Sequence, residues 1–347
     1  MVAYARRKLL GRDRRAVYHC RARCVRRAFL CGRDPLTGRD FSHRRDWILV
    51  REEQLAGLFA IEVEFHAELS NHLHLMLRSR PDVARRWSPH EVARRYLTAM
   101  KIAKCMSDEL PQVSDKRIEQ VVRDKKRIKQ LRRRLSNISW FMGILCENIA
   151  RRANQEDECT GRFFESRFKC RECVDFAGML VCALYMDLNL IKAGEAVSLR
   201  SSRYTSAYQR IMAQEERSNS PNRADGWLGE LTLREGTLED ETIALTSRWG
   251  RRASDLGLLP ISLESYLRLL EWTARQLRSG QRSTVPKDVE TLLDYLDVNE
   301  DAWLDTFQRY ESVFCHAIGS PAALAEVARR MGRRCLKGSS ACRRLFA

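Results

Sequence analysis

The 347-residue chain lacks a long hydrophobic run. No window approaches the roughly 18–20 consecutive apolar residues of a membrane-spanning helix, which excludes helical threading through a bilayer. The first residues, MVAYARRKLLGRDRRAVYHC, are basic but have no apolar core of the kind a secretory signal carries, so a cytoplasmic protein is expected. No internal repeat is visible, which argues against solenoids and propellers. Histidine is scarce at seven residues, and only His72 and His74 stand at a metal-ligand spacing. Acidic residues are short in supply: 45 Asp and Glu face 62 Lys and Arg, a formal net charge of +17.

That charge is uneven. The first fifty residues hold fourteen Lys or Arg against four Asp, and the segment 115–134 (DKRIEQVVRDKKRIKQLRRR) and the tail RRMGRRCLKGSSACRRLFA are similarly loaded. One such block reads equally well as a solvated helix face. Three together point to a polyanion partner, most simply nucleic acid. The twelve cysteines are scattered through apolar segments and read as reduced, small hydrophobes. Cys170 and Cys173 have CxxC spacing, which a zinc site would have to complete with a second pair such as Cys20 and Cys24, or with His19; coincidence is the alternative.

Residues 16–24 (AVYHCRARC) read as a strand, 44–59 as a helix, and 59–69 as a strand in which Ile61, Val63 and Phe65 alternate with Glu62, Glu64 and His66. A turn at Ser70–Asn71 leads into HLHLMLR, and so short a connection makes the two strands antiparallel. Ser88, Pro89 and Glu91 form a helix-start signal for 88–106. The basic segment has helical spacing, 161–170 reads as extended, and 174–194 reads as a buried helix capped at Gly194. The polar stretch 213–226 reads as a linker, and the final third as mostly helical. The order up to residue 194 predicts an α+β fold with helices packed on one face of an antiparallel sheet.

Side chains alternate along a strand, so His72, His74 and Met76 share one face while Leu73, Leu75 and Leu77 share the other. The leucine face can pack under helices. Two neutral imidazoles on the opposite face are potential metal ligands, although such a pair also occurs as ordinary surface histidines. In the 174–194 helix, Tyr185 and Asn189 lie four apart and share a side. Both are polar groups in an apolar segment and need partners; a hydrogen-bonded core tyrosine and a helix-end asparagine would satisfy the same pattern.

Several segments together resemble the single-tyrosine HUH transposases that mobilise the smallest bacterial insertion sequences, including the REP-associated tyrosine transposases. SNHLHLML resembles their HUH motif, with Leu73 as the hydrophobic residue between the histidines. YHCRARCVRRAFL (18–30), GRFFESRFK (161–169) and YMDLNLIKAG (185–194) are similar to the family's first strand, its Gly-Arg-Phe-Trp-Glu-Gly-Arg-Phe-Lys segment and its Tyr-x-x-x-Asn-Pro-x-Arg-Ala-Gly segment. The matches span about residues 16–210. The resemblance implies a ferredoxin-like catalytic core over 1–212 with a basic helical insertion at about 107–150. Residues 227–347 would form a helical accessory region with a basic tail.

The resemblance further implies that His72 and His74 hold a divalent metal, Mg²⁺ or Mn²⁺, with Asn189 near the third ligand position. Tyr185 would be the nucleophile of single-strand DNA cleavage and rejoining through a 5′-phosphotyrosine. Single-stranded or hairpin DNA is the implied partner, and a homodimer the implied assembly. Arg21, Arg23, Arg162, Arg167 and Lys169 are candidates for phosphate contacts. The chain departs from the family pattern at Leu190, where proline is usual, and at Ser70, Phe164 and Ser166. Two rival readings stand beside this one: a domesticated, non-cleaving DNA-binding protein of the same fold, and a small-molecule metallohydrolase built on the two histidines.

Overall fold

The computed structural model describes residues 13–216, 226–233, 252–254, 256–279, 285–295 and 298–346. Most of the expected linker, residues 217–225, lies outside them. Among the described residues the fold is mixed α and β, with fourteen helices and one five-stranded sheet. No helix among them is long and apolar enough to cross a membrane.

The sheet begins with β1 (Ala16–Arg23), followed after α1 (His43–Leu58) by β2 (Ile61–Glu68) and β3 (His72–Ser79). Then come α2 (Pro81–Arg86), α3 (Pro89–Ile102), α4 (Asp115–Val122), α5 (Lys125–Leu135) and α6 (Ile138–Glu156), and β4 (Lys169–Cys173). The strands lie in the order β2–β3–β1–β4–β5, where β5 is Ala317–Ile318. Each neighbouring pair among the first four is antiparallel; β5 runs parallel to β4, so the sheet is mixed rather than wholly antiparallel.

Local chemistry sets several boundaries. Ser88 caps α3 by accepting a bond from Glu91 N, with Pro89 at the first helical position. The basic segment is two helices rather than one. Asp124 accepts a bond from Arg127 N and starts α5, and Asn137 does the same for α6 through Ser139 N. The β2–β3 turn closes through Leu69 N to His72 O at 2.9 Å. It is clamped from outside: the Ser70 hydroxyl donates to Glu195 at 2.7 Å, and Gly32 lies so close that an added Cβ would sit 2.4 Å from Ser70 Cβ. Only a glycine permits that approach.

The leucine face behaves as its alternation predicts. Leu73, Leu75 and Leu77 are buried with Tyr18, Cys20 and Ala22 against α1, α3 and α6. Each such side chain stabilises the fold by roughly 1.5–3 kcal/mol. Helices do not stop at that face, however. The opposite face carries apolar Val17, Phe65, Ala67 and Met76, which also require cover. It is supplied by α7 (Phe176–Asp187), α8 (Asn189–Lys192) and α9 (Ser206–Glu216). The later helices α10 (Leu263–Ser279), α11 (Lys287–Tyr295), α12 (Glu300–Val313), α13 (Pro321–Arg330) and α14 (Ser339–Leu345) complete the layer. The expectation of helices on one face is therefore corrected to helices on both.

Two further expectations change. Of the extended segment 161–170, only its end joins a strand, because β4 starts at Lys169. In β2 the strict alternation breaks: the pairing with β3 shifts between Val63 and Phe65, a β-bulge. Val63 packs in the leucine-side core and Phe65 in the other. The bulge thereby turns His66 and Glu68 toward the α1 side.

Candidate functional site

The sheet face opposite the leucines gathers charge and imidazole by register alone. Arg21 pairs with His74 and Arg23 with His72 across β1–β3; Lys169 pairs with Arg21 and Arg171 with His19 across β1–β4. Cross-strand partners share a face, so seven basic or imidazole residues line one side. The His72 and His74 ring centroids lie 4.8 Å apart. His19 stacks on His74 at 5.0 Å, and its Nε2 shares a 2.7 Å hydrogen bond with His74 Nδ1.

Tyr185 comes to this cluster from α7. Its ring centroid is 5.7 Å from that of His74 and 6.2 Å from that of His19. The sheet histidines and the helix phenol, more than a hundred residues apart in sequence, thus occupy one site. Asn189 opens α8 beside it, buried, with Nδ2 making no hydrogen bond. The break at Leu188 places Asn189 in a separate short helix, and Gly194 at φ +74° ends the segment as expected.

Burial dominates the electrostatics. It pushes His72 down to about 3, with Arg23 and Arg21 adding to the effect, and holds His74 well below the usual imidazole range. Both rings are therefore neutral, the form that binds metal. Burial, followed by the Glu311 carboxylate, raises the Tyr185 phenol; Arg171, Asn189 and Arg21 act against this. The phenol is thus protonated at rest. The resemblance implies a divalent cation on His72 and His74, and the residues fit it: His74 Nε2 is fully buried without a hydrogen-bond partner.

A helix from the far end of the chain covers the site. On α12 Trp303, Phe307 and Tyr310 form a buried helical stripe, which Phe314 continues just past its end. Tyr310 stacks on Tyr185 with centroids 3.9 Å apart and ring planes 14° apart, and its hydroxyl lies 3.3 Å from His19 Nδ1. Glu311 forms ion pairs with Arg21 and, at 3.4 Å, with Arg171, and accepts from the Tyr185 hydroxyl at 3.4 Å. Tyr185 is left only 4% exposed, whereas the Glu311 side chain is 32% exposed. The helix body is deeply anchored, and the carboxylate sits at the rim. It occupies an anion position framed by two guanidiniums and the phenol.

Of the proposed phosphate contacts, Arg21 lies in the site and Arg23 at its edge opposite His72. Lys169 lies beside Arg21 and is exposed. Arg162 and Arg167 are exposed on the irregular segment that hydrogen-bonds to the end of β1 through Glu165 N and Phe163 O. The basic helices α4 and α5 belong to the other layer, where Lys126, Lys129, Arg133, Arg134 and Trp140 line a groove of about 500 Å³. Cys170 and Cys173 pack in opposite cores, so they do not form a ligand pair.

Sequence reasoning missed Arg171, Tyr310 and Glu311, and the place of His19 beside His74. It also missed Glu52, His66 and Glu68, whose ligand atoms all lie within 4.8 Å of one another; among the described residues no other His, Cys, Asp and Glu group meets that criterion. The His-x-Glu spacing of His66 and Glu68 on a strand is the local signal for this group. Comparison with protein-family models, with curated proteins and with solved structures finds no match to this chain.

Proposed function

We propose that the protein is a DNA strand transferase of the HUH single-tyrosine type. The observation that carries this reading is the meeting of His72, His74 and Tyr185 in one site beside Arg21 and Arg171. The β2–β3–β1–β4 order with all four antiparallel is also that of a ferredoxin-like core, which supports the same family. On this reading residues 1–212 form the catalytic unit and 227–347 an accessory unit that covers it, and the protein acts as a dimer on single-stranded or hairpin DNA.

The chemistry follows from the side chains. The Tyr185 oxygen attacks a backbone phosphorus and forms a phosphotyrosine ester to the 5′ side. The P–O3′ bond breaks, and the freed 3′ oxygen takes up the proton that the phenol loses. Rejoining reverses the same exchange, so the energy of the phosphodiester is kept. Arg21 and Arg171 would orient the phosphate and balance the charge that develops on its oxygens. His72 and His74, with Asn189 adjacent, would hold a divalent cation, whose contribution is Lewis-acid polarisation of the phosphoryl group. For this to occur, the substrate phosphate must displace the Glu311 carboxylate.

One observation favours the second reading, a non-cleaving DNA-binding protein: Tyr185 is buried under Tyr310. The two readings separate in one assay. Labelled single-stranded oligonucleotides from sequence flanking the gene are incubated with protein and Mn²⁺ or EDTA and run on denaturing gels. The transferase gives a metal-dependent covalent adduct that Tyr185→Phe abolishes and that His72→Ala or His74→Ala suppresses. An adduct persisting in Tyr185→Phe rejects the nucleophile, and DNA binding without any adduct supports the non-cleaving reading.

A further inference from the structure

A second cluster of ligand-type side chains lies on the other side of the sheet, apart from the tyrosine site. Glu52 comes from the middle of α1; His66 and Glu68 come from β2 beyond the bulge that turns them toward α1. All three are fully buried. His66 Nδ1 lies 2.9 and 3.1 Å from the two Glu68 oxygens. Neither oxygen of Glu52 has a hydrogen-bond partner, and nor does His66 Nε2.

Two carboxylates sealed from water cost several kcal/mol each unless something neutralises them. Burial drives both Glu52 and Glu68 well above the ordinary carboxyl range. The surrounding charges do not resolve the conflict. Asp187 adds repulsion near Glu68. Of the nearby arginines, Arg45 pairs with Glu195, and Arg210 bonds the Glu64 and Gly229 carbonyls. Arg51, on the same helix as Glu52, bonds Asn148 and Gln54. The compensating charge must therefore be a shared proton or a bound cation.

We propose that Glu52, His66 and Glu68 form a structural site for a first-row divalent transition metal, with zinc as the best fit. The donor set of one imidazole and two carboxylates suits zinc-class ions, whereas Ca²⁺ and Mg²⁺ favour oxygen alone. Ligands about 2.0–2.2 Å from a shared tetrahedral ion stand roughly 3.3–3.6 Å apart; the ligand atoms here lie within 4.8 Å of one another, so side-chain adjustments complete the site. All three side chains are sealed from solvent, and they join α1 to β2, so the ion acts as a staple between a helix and an edge strand. This inference is independent of the strand-transfer reading.

The test uses full-length protein carrying His72→Ala and His74→Ala, which removes the other imidazole pair. The protein is stripped with chelator, equilibrated with Zn²⁺, desalted and analysed for metal by mass spectrometry, and its melting is followed with and without EDTA. One zinc per chain is expected, with a melting temperature that falls by several degrees in EDTA. Adding Glu52→Gln should eliminate both the bound zinc and the EDTA sensitivity, because the amide keeps the size of the side chain but is a poor metal ligand. Zinc-edge X-ray absorption of the double variant should show nitrogen and oxygen donors only, a readout that stands even if Glu52→Gln fails to fold. Absence of zinc, sulfur coordination by cysteines, or unchanged zinc in Glu52→Gln overturns the proposal in favour of a shared proton or adventitious binding.

Discussion

Glu311→Gln keeps the shape of the rim residue and removes its charge. The carboxylate now holds Arg21 and Arg171, whose side chains are only 13% and 11% exposed, and it stays ionised because those two guanidiniums outweigh its burial. At 3.4 Å and an effective dielectric near 20, the attraction to Arg171 is about 5 kcal/mol before desolvation, and a fraction of that survives as net stabilisation. Without it, both arginines are released to bind phosphate. Each added contact to single-stranded DNA steepens the salt dependence of binding by about 0.7, so two give about 1.4. Between ~50 and ~200 mM salt the variant should lose roughly sevenfold more affinity than the unaltered protein, starting from tighter binding at low salt. Fluorescence anisotropy of a labelled oligonucleotide over a salt series reads this directly. Glu165→Gln, which removes an exposed charge at the same end of the sheet, is the control and should leave the slope unchanged. A folded Glu311→Gln protein with the slope of the unaltered protein, or one no steeper than the control, would refute phosphate binding at the Arg21–Arg171 position.

Other outcomes follow from the same geometry. Tyr185→Phe retains the stacking on Tyr310 and loses only a long hydrogen bond, so its urea unfolding free energy should change by no more than about 1 kcal/mol while the covalent adduct disappears. Leu75→Ala opens a cavity under the fully buried leucine face and should cost about 2–5 kcal/mol in urea unfolding. Gly32→Ala drives a methyl group into Ser70 and should cost roughly 1–3 kcal/mol. Because that turn leads directly into His72, adduct formation should fall further than stability alone explains.

Local patterns carried much of the fold. Alternation in β3 separated leucines from histidines, and Ser88 with Pro89 marked the start of α3. The short connection at Ser70–Asn71 marked the hairpin, and Tyr185 with Asn189 marked the helix that meets it. What was not legible depends on partners distant in sequence. The bulge at Val63–Phe65 exists only in the register with β3, and without it His66 and Glu68 would not face Glu52. His19 stands beside His74 because β1 lies next to β3, a strand order that no local window contains. Glu311 is 126 residues from the hydroxyl it covers, on a helix whose apolar stripe announced burial but not against what. The break at Asp124 is a local signal, an aspartate that caps the start of α5, whereas helical spacing alone does not divide the basic segment.

The parallel pairing of β5 on β4 gives the chain a particular history during synthesis. Roughly 140 residues separate the two strands, which a ribosome takes about 7–30 s to add. Throughout that interval the outer edge of β4 has no neighbour, and the helix bearing Glu311 has not yet been made. Every newly made molecule therefore passes through a stage in which the phenol and the imidazoles are already encoded in an emerged polypeptide but uncovered. In the finished protein that helix shields the site, so substrate must reopen what translation left bare.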